Sequence, residues 1–218
     1  MTPSVTPNPI QFIHCTPNAE ALIVDMARVS NPAGQGKPGE RLLAYLIKHG
    51  HWSPFEMGSL CVKITTERDI SAQILRHRSF SFQEYSTRYA KAPAAVVPRL
   101  RRQDTENRQN SIDDLSPIVA ATYDLRISNV FWKLHELYED MIEMGIAKEC
   151  ARRILPLSTQ TTLYMHGTLR SWIHYLQVRC SPETQLEHRE IAEGCKAIFA
   201  EQFPVIASAV FTKPEPTP

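Results

Sequence analysis

The spacing of apolar and polar residues along the chain predicts mainly helices, with two strands among them. Apolar residues at three- and four-residue intervals predict helices at 17–30, 42–47, 67–76, 116–145, 147–154, 168–180 and 183–203. Thr16 is predicted to be the N-cap of the first helix, with Pro17 at its first position. Runs rich in β-branched residues predict strands at 59–66 and 159–165. Because the sequence has neither an internal repeat nor a linker, we predict one α+β domain over residues 1–218.

Three segments outside these elements have a different composition. Prolines are frequent at both ends of the chain, which predicts loose tails at 1–10 and 212–218. Between 92 and 114 the residues are mostly proline, arginine, glutamine and asparagine, with little periodicity. This segment is predicted to be a long loop or lid.

Composition narrows the classes of function. The hydrophobic content of 43% and charged content of 22% are typical of a soluble globular protein. A formal net charge of +1 argues against bulk electrostatic binding to nucleic acid. Sixteen arginines stand against eight lysines, which favours specific bidentate contacts to phosphate or carboxylate groups.

Cysteine usage and hydropathy indicate the compartment. The five cysteines are scattered without CxxC spacing, which excludes a disulfide framework and a structural zinc site. No apolar run approaches transmembrane length, and the N-terminus lacks a secretory signal pattern. We therefore expect a cytoplasmic protein with no membrane partner.

The arginine segment, residues 76–89, carries the strongest chemical signal. It holds three arginines, a histidine, a glutamate and two tyrosines within fourteen residues. Guanidinium groups leave water only where something anionic meets them, so we interpret the segment as an anion site for a phosphorylated small molecule. The alternative is an exposed network in which the arginines pair with Glu84, Glu67 and Asp69.

The predicted helix at 67–76 leads into the arginine segment. Gln73, Arg76 and His77 stand at i, i+3 and i+4 and would share one face. Ile70 and Ile74 would share another. The helix would then pack by its apolar side and present an amide, a guanidinium and an imidazole together.

Two later helices also carry grouped cations. Arg152 and Arg153 would point about 100° apart on a helix, so one can face inward while the other faces solvent. Arg170 and His174 share a helix face, whereas Arg179 lies near the opposite face or past the helix end. Capping of its own helix C-terminus is the alternative role for Arg179.

The segment 49–56 has a structural and a chemical interpretation. Ser53 and Glu56 match a capping box with proline at the first helical position. His49 and His51 are two residues apart, unlike the histidine pair of a zinc-binding helix. Metal binding is thus a minor alternative, and we expect no metal.

Missing patterns exclude two kinds of site. There is no GxGxxG fingerprint, so a nucleotide cofactor would not be bound in the Rossmann manner. No cysteine lies within the clusters described above, so covalent thiol catalysis has no evident nucleophile.

The order Arg76-His77-Arg78, seven intervening residues and then Ser86 resembles the signature of the flavin-dependent thymidylate synthases. The flanks agree with the family at 27–30, 49–56, 151–156 and 170–179, and the resemblance runs from about residue 19 to about residue 204. The segment 102–111 is similar to a subgroup found in some viral and microbial members, so the compartment would be the host cytoplasm for a viral protein.

The resemblance implies a fold, a reaction and an assembly. The expected fold is a single domain with a mainly antiparallel sheet flanked by helices. The implied reaction is reductive methylation of dUMP to dTMP, with 5,10-methylenetetrahydrofolate as carbon donor and NADPH as the reductant of bound FAD, without a cysteine nucleophile. The implied assembly is a homotetramer whose active sites lie at subunit interfaces, and no nucleic acid is expected as a partner.

The resemblance also assigns residues by motif. The expected dUMP contacts are Gln73, Arg76, Glu84, Tyr85, Ser86, Thr87, Arg88, Arg152 and Arg179. The expected FAD contacts are Ser53, Arg76, His77, Arg78, Glu84, Thr168, Arg170 and His174. Ser30 and His51 would lie near the flavin and folate, and Arg179 would be the catalytic residue that favours ionisation of the uracil N3–H.

Two positions differ from some members of the family, and two alternative functions remain open. The positions of Thr168 and His174 are asparagine in some members, and Arg153 has no assigned role. A nucleic-acid-binding module would use 99–108 and the arginine segment, and would bind with a steep dependence on salt. A homologue that binds nucleotide but has lost turnover would carry the same motifs.

Overall fold

The structure is a computed structural model that describes residues 9–30, 34 and 36–211. These residues divide into two units. The first unit holds the described residues up to Ile64, the segment His77–Phe82 and the described residues from Tyr164 onward. The second unit holds Thr65–Arg76 and Gln83–Leu163.

A four-stranded sheet and a short hairpin contain the strands. These are β1 (Ile10–Cys15), β2 (Ser59–Glu67), β3 (Ser81–Glu84), β4 (Arg102–Gln103), β5 (Ser111–Ile112) and β6 (Gln160–Thr168). The sheet order is β1-β2-β6-β3, and β4 pairs with β5. β1 runs antiparallel to β2, with Ile10 opposite Ile64 and a bulge between Phe12 and His14.

Helices account for most of the remaining chain. They are α1 (Ala19–Ala27), α2 (Glu40–Lys48), α3 (Arg68–Ile74), α4 (Pro117–Glu143), α5 (Lys148–Ala151), α6 (Leu169–Arg179), α7 (Leu186–Gln202) and α8 (Pro204–Phe211). Short 3-10 turns lie at Arg28–Ser30, Ser53–Glu56 and Arg152–Ile154. Among the described residues, every helix is too short or too polar to span a bilayer.

Aromatic residues of α6 form the core of the first unit. Trp172 and Tyr175 are completely buried, and the Trp172 indole N–H donates to the backbone oxygen of Leu60 in β2 at 2.9 Å. Phe80, from the arginine segment, packs edge-on against Trp172 with ring centres 5.0 Å apart. One side of the segment is thereby fixed to the core while its arginines stay outside.

The second unit has a smaller core around Tyr138 of α4. Its side chain is completely buried with Ala92 and Ala151, and its hydroxyl accepts a 2.9 Å hydrogen bond from the backbone N–H of Ala92. Most other large apolar residues of α4 are exposed, including Ile118 and Trp132. Packing within the described chain therefore uses only a narrow stripe of this 27-residue helix.

The predicted α+β class, with an antiparallel sheet and flanking helices, is confirmed. Both predicted strands are present as β2 and β6, and each predicted helix has an observed counterpart. The patterns did not indicate β1, β3 or α8. The long loop at 92–114 contains the β4–β5 hairpin, and whether it closes over a ligand stays a prediction.

Three local predictions were wrong. Thr16 does not cap α1, because Asn18 is its N-cap and the Thr16 hydroxyl instead accepts from the backbone N–H of Ser59. The predicted tail at 1–10 includes Ile10, which begins β1 and is buried; 1–8 and 212–218 lie outside the described residues. The helix at 67–76 ends at Ile74, so Gln73, Arg76 and His77 do not share a helix face.

Candidate functional site

A cavity of about 430 Å³ lies along α6 in the first unit. Its lining residues are Trp52, Glu56, Ser79, Arg170, Ser171, Ile173, His174 and Gln177. Arg170 and His174 stand one helical turn apart and line the same cavity, so their predicted shared face is confirmed. The volume is within the range of small-molecule pockets.

The guanidinium group of Arg170 is lightly paired. Its Nη1 donates to Oε1 of Glu56 at 2.8 Å, and both side chains are more than a third exposed. An exposed pair of this kind stabilises the fold by about 0–1 kcal/mol, so an incoming anion can compete for Arg170. The predicted capping box was wrong: Trp52 is the N-cap of the 3-10 turn, and no side chain caps it.

Arg179, the last residue of α6, forms a close contact with His77. Nε of Arg179 donates to Nε2 of His77 at 2.8 Å, and the imidazole packs edge-on against Tyr175 with ring centres 4.9 Å apart. Burial first, and then the charges of Arg179 and His174, lower the pKa of His77 to about 4. The neutral imidazole accepts at Nε2 and therefore carries its proton on Nδ1.

A buried pair lies behind that contact. Tyr175 and His188 are both completely buried, and the Tyr175 hydroxyl is 3.2 Å from Nε2 of His188. Burial is the main cause that lowers the pKa of His188 to about 3. Sequence reasoning missed both residues; the only signal is that His188 stands at helical spacing from buried Ile191 and Ala192.

In the second unit, Glu84 at the end of β3 is held by two hydrogen bonds and one ion pair. Its Oε1 accepts from the hydroxyl of Ser71 at 2.8 Å and of Thr161 at 3.1 Å, and Nη1 of Arg68 lies 3.5 Å away. The alternative network, with arginines of the arginine segment paired to Glu84, Glu67 and Asp69, is not formed among the described residues. Arg76 and Arg78 are exposed.

A second cavity, of about 460 Å³, lies in the same unit. Its lining residues are Ser86, Arg88, Tyr89, Ala147, Lys148 and Glu149. Nη2 of Arg88 pairs with Glu149 at 2.9 Å, with both side chains largely exposed. The cavity thus presents two cationic side chains beside the end of the arginine segment.

The chain around this second cavity is held from several sides. Nη1 of Arg152 donates to the buried hydroxyl of Thr87 at 3.3 Å. Arg152 is half-buried and Arg153 exposed, as their helical spacing predicted. The Tyr85 backbone N–H donates to the Thr162 oxygen at 2.8 Å, and its hydroxyl to the Lys91 oxygen at 2.6 Å.

The remaining predicted residues have varied surroundings. Gln73 is half-buried in α3, and His51 and Ser53 are exposed before and within the 3-10 turn. Thr168 is the N-cap of α6, where its hydroxyl accepts from the backbone N–H of Ser171. Ser30 ends a 3-10 turn. Arg179 belongs to the first unit, and every other residue expected to contact dUMP belongs to the second.

Several lining residues were missed. Trp52, Ser79 and Gln177 line the first cavity, and Lys148 and Glu149 line the second. Each lies within four residues of a predicted site residue in sequence. Their one-turn or adjacent spacing is a signal that could have identified them.

Comparisons with known proteins match one family over most of the chain. The family model for "Thymidylate synthase complementing protein" matches residues 11–205. A flavin-dependent thymidylate synthase from Synechocystis is 51% identical over 191 residues, which cover 88% of this chain and 89% of the relative. A probable flavin-dependent thymidylate synthase of Paramecium bursaria Chlorella virus 1 is 49% identical, covering 88% and 90%.

A solved structure shares the fold. The crystal structure of a UMP/dUMP methylase from Streptomyces cacaoi, bound with 5-Br dUMP, aligns with a TM-score of 0.82 and 26% identity. The alignment covers 92% of this chain and 93% of that one. Together with the matched sequence relatives, this agreement places the chain in the flavin-dependent thymidylate synthase family.

Proposed function

We propose that this protein methylates dUMP reductively to dTMP, with 5,10-methylenetetrahydrofolate as carbon donor and NADPH as the reductant of bound FAD. The observation that carries the proposal is the presence of exposed, weakly paired arginines at both cavities, Arg170 at one and Arg88 at the other. dUMP and FAD both bring phosphate groups, and guanidinium groups bind phosphate with bidentate hydrogen bonds.

The residues around the first cavity fit FAD. Trp52 offers a flat apolar surface, and Arg170, His174 and Gln177 offer hydrogen-bonding groups on the α6 side. When bound, FAD supplies the reducing equivalents for the reaction. The further residues that we propose to contact it are Ser53, Arg76, His77, Arg78, Glu84 and Thr168, with Ser30 and His51 near the flavin and folate.

The second cavity fits the phosphate of dUMP. Arg88 and Lys148 line it, and Arg152 is fixed beside it through Thr87. Ser86 adds a hydroxyl donor at the same cavity. The remaining proposed contacts to dUMP are Gln73, Arg76, Glu84 and Tyr85.

Arg179 would activate the base. A positive charge beside the uracil favours its N3-deprotonated form, which makes carbon 5 more nucleophilic. This step needs no thiol, and burial raises the pKa of the Cys61 and Cys195 thiols, which keeps both protonated. We propose Arg179 as the catalytic residue and His77 as the group that orients it.

We also propose a homotetramer with active sites at subunit interfaces. The long helix α4 supports it, because Ile118, Leu125 and Trp132 are 80%, 65% and 64% exposed. Several large apolar side chains exposed on one helix are typical of an interface with another chain. A cytoplasmic location stays a prediction.

The purified protein tests the proposal directly. We expect it to be yellow, with the absorbance of oxidised flavin, and to release tritium from dUMP labelled at carbon 5 when the folate and NADPH are present. A protein that is colourless and still inactive after addition of FAD would refute the proposal. Binding of dUMP and FAD without any dTMP would identify a homologue that has lost turnover.

A further inference from the structure

Hydrogen bonds from the described residues reach one oxygen of the Glu84 carboxylate only. Two hydroxyls, those of Ser71 and Thr161, donate hydrogen bonds to Oε1, and the guanidinium of Arg68 forms an ion pair with it. Within the described residues, Oε2 receives no hydrogen bond. The side chain of Glu84 is only 20% exposed, so solvent reaches it through a limited opening.

The two hydroxyl donors are built into the fold. Ser71 is 1% exposed in the middle of α3, and Thr161 is 2% exposed near the start of β6. A buried hydroxyl keeps a fixed partner because an unsatisfied polar group in the interior costs about 1–3 kcal/mol. The hydrogen bond from Tyr85 to Thr162 also holds the chain after β3 against β6. The orientation of Glu84 is therefore set by α3 and β6 together.

We propose that Ser71 and Thr161 are positioning residues that hold Oε1 of Glu84 and so direct Oε2 toward a hydrogen-bond donor of the nucleoside half of dUMP. This inference rests on the proposed function. An ionised carboxylate only accepts hydrogen bonds, and a phosphate dianion has no donor to offer. Of the groups on dUMP, Glu84 can therefore accept only from the sugar hydroxyl or the base, while the cations of the second cavity bind the phosphate.

Matched variants separate positioning from packing. Thr161→Val keeps the β-branched shape and removes the hydroxyl, whereas Thr161→Ser keeps the hydroxyl. Ser71→Ala is a second deletion, and alanine is the better helix former, so α3 is not weakened by propensity. Thr162→Val, on the next residue of β6, is the control, because the Thr162 hydroxyl lies 3.5 Å from that of Thr65.

The measurement is the Kd of dUMP for the flavin-loaded protein, by titration calorimetry, beside the constant for inhibition of dUMP binding by inorganic phosphate, from competition in the same titration. We expect Thr161→Val and Ser71→Ala to raise the Kd of dUMP about five- to tenfold, since each removes a hydrogen bond to the charged carboxylate of Glu84. Thr161→Ser and Thr162→Val should bind dUMP like the wild type. Phosphate inhibition should be unchanged in all four.

Three results would overturn the inference. These are wild-type dUMP affinity in both hydroxyl deletions, a Thr161→Ser variant as weak as Thr161→Val, or a parallel loss of phosphate inhibition. Melting temperatures identify a variant that is unfolded, and Ser71→Ala then decides in place of Thr161→Val. Turnover by the wild type tests the proposed function separately, because the comparison among variants uses binding alone.

Discussion

The Nε of Arg179 donates a 2.8 Å hydrogen bond to Nε2 of His77, which is neutral at physiological pH because its pKa is about 4. A carboxylate at this position would also orient the guanidinium, but it would cancel much of its charge. The neutral imidazole orients Arg179 and leaves the positive charge intact. Among the described residues, both Nη groups of Arg179 remain without a hydrogen bond.

The first prediction concerns Arg179 itself. We expect Arg179→Ala to lower turnover about a hundredfold or more, as is typical when an electrostatic stabiliser is removed from an active site. The fold should persist, because Arg179 is the last residue of α6 and its hydrogen bond is to one side chain. Tritium release from dUMP labelled at carbon 5 measures turnover, and circular dichroism measures the fold.

Arg189→Ala is the matched control for Arg179→Ala. Arg189 lies on α7 and donates to the backbone oxygen of Pro182, outside both cavities. Its loss should leave turnover within about twofold of the wild type, since surface substitutions change little. Near wild-type turnover in Arg179→Ala would rule out its role in base ionisation.

The second prediction concerns pH. Burial lowers the pKa of His77 to about 4 and of His188 to about 3, from an ordinary value of 6.5. Below pH 6.5 these two histidines are therefore protonated in the unfolded chain but remain neutral in the folded chain. Stability from these groups is fully present above pH 6.5 and is lost as the pH falls toward 4 and 3. We expect the free energy of unfolding to decrease between pH 6.5 and 5.

His188→Gln isolates one of the two histidines. It should be less stable than the wild type at pH 7, because a buried side chain is changed, yet its stability should fall less steeply between pH 6.5 and 5. Urea unfolding at several pH values gives both quantities. An unchanged slope in His188→Gln would show that His188 is protonated equally in the folded and unfolded chain.

The arginine segment shows how far sequence could predict the site. The sequence indicated an anion site because so many arginines cannot be buried in an apolar core. In the structure Arg76 and Arg78 are indeed exposed. Spacing alone also placed Arg170 and His174 on one face, because that pair lies within a single helix. Such local relations depend on helix geometry, which sequence spacing encodes.

Relations between distant segments were not predictable in this way. The bond between Thr161 and Glu84 joins residues 77 apart in sequence, and that between Arg179 and His77 joins residues 102 apart. Both depend on strand order and helix packing, which periodicity does not specify. Thr16 was mistaken for a helix cap because its hydroxyl binds Ser59 instead, 43 residues away.

The third prediction concerns flavin retention. Arg170→Ala should reduce the flavin content of the purified protein, because a phosphate-binding group at the first cavity is lost. Arg170→Lys should retain an intermediate amount, since lysine keeps the charge but lacks the planar fork. The ratio of flavin absorbance to protein absorbance measures both. Arg189→Ala serves again as control, and equal flavin content in all variants would contradict a contact between Arg170 and FAD.

The fourth prediction concerns the packing that supports the arginine segment. A Cβ added at Gly167 would lie 2.5 Å from Cδ1 of Phe80, too close for two carbon atoms. Phe80 is itself held by Trp172, so it has little room to move. We expect Gly167→Ala to destabilise the protein by about 1–3 kcal/mol, as overpacking does in protein cores.

The double variant Gly167→Ala with Phe80→Leu tests the cause of that loss. A smaller side chain at position 80 removes the clash, so the two changes should couple and the double variant should be more stable than the sum of the single effects predicts. Urea unfolding of the four proteins completes the cycle. Strict additivity would mean that Gly167 is needed for its backbone rather than for the space that it leaves to Phe80. Because Phe80 fixes the arginine segment to the core, Gly167→Ala should also weaken dUMP binding, and Phe80→Leu should restore part of it.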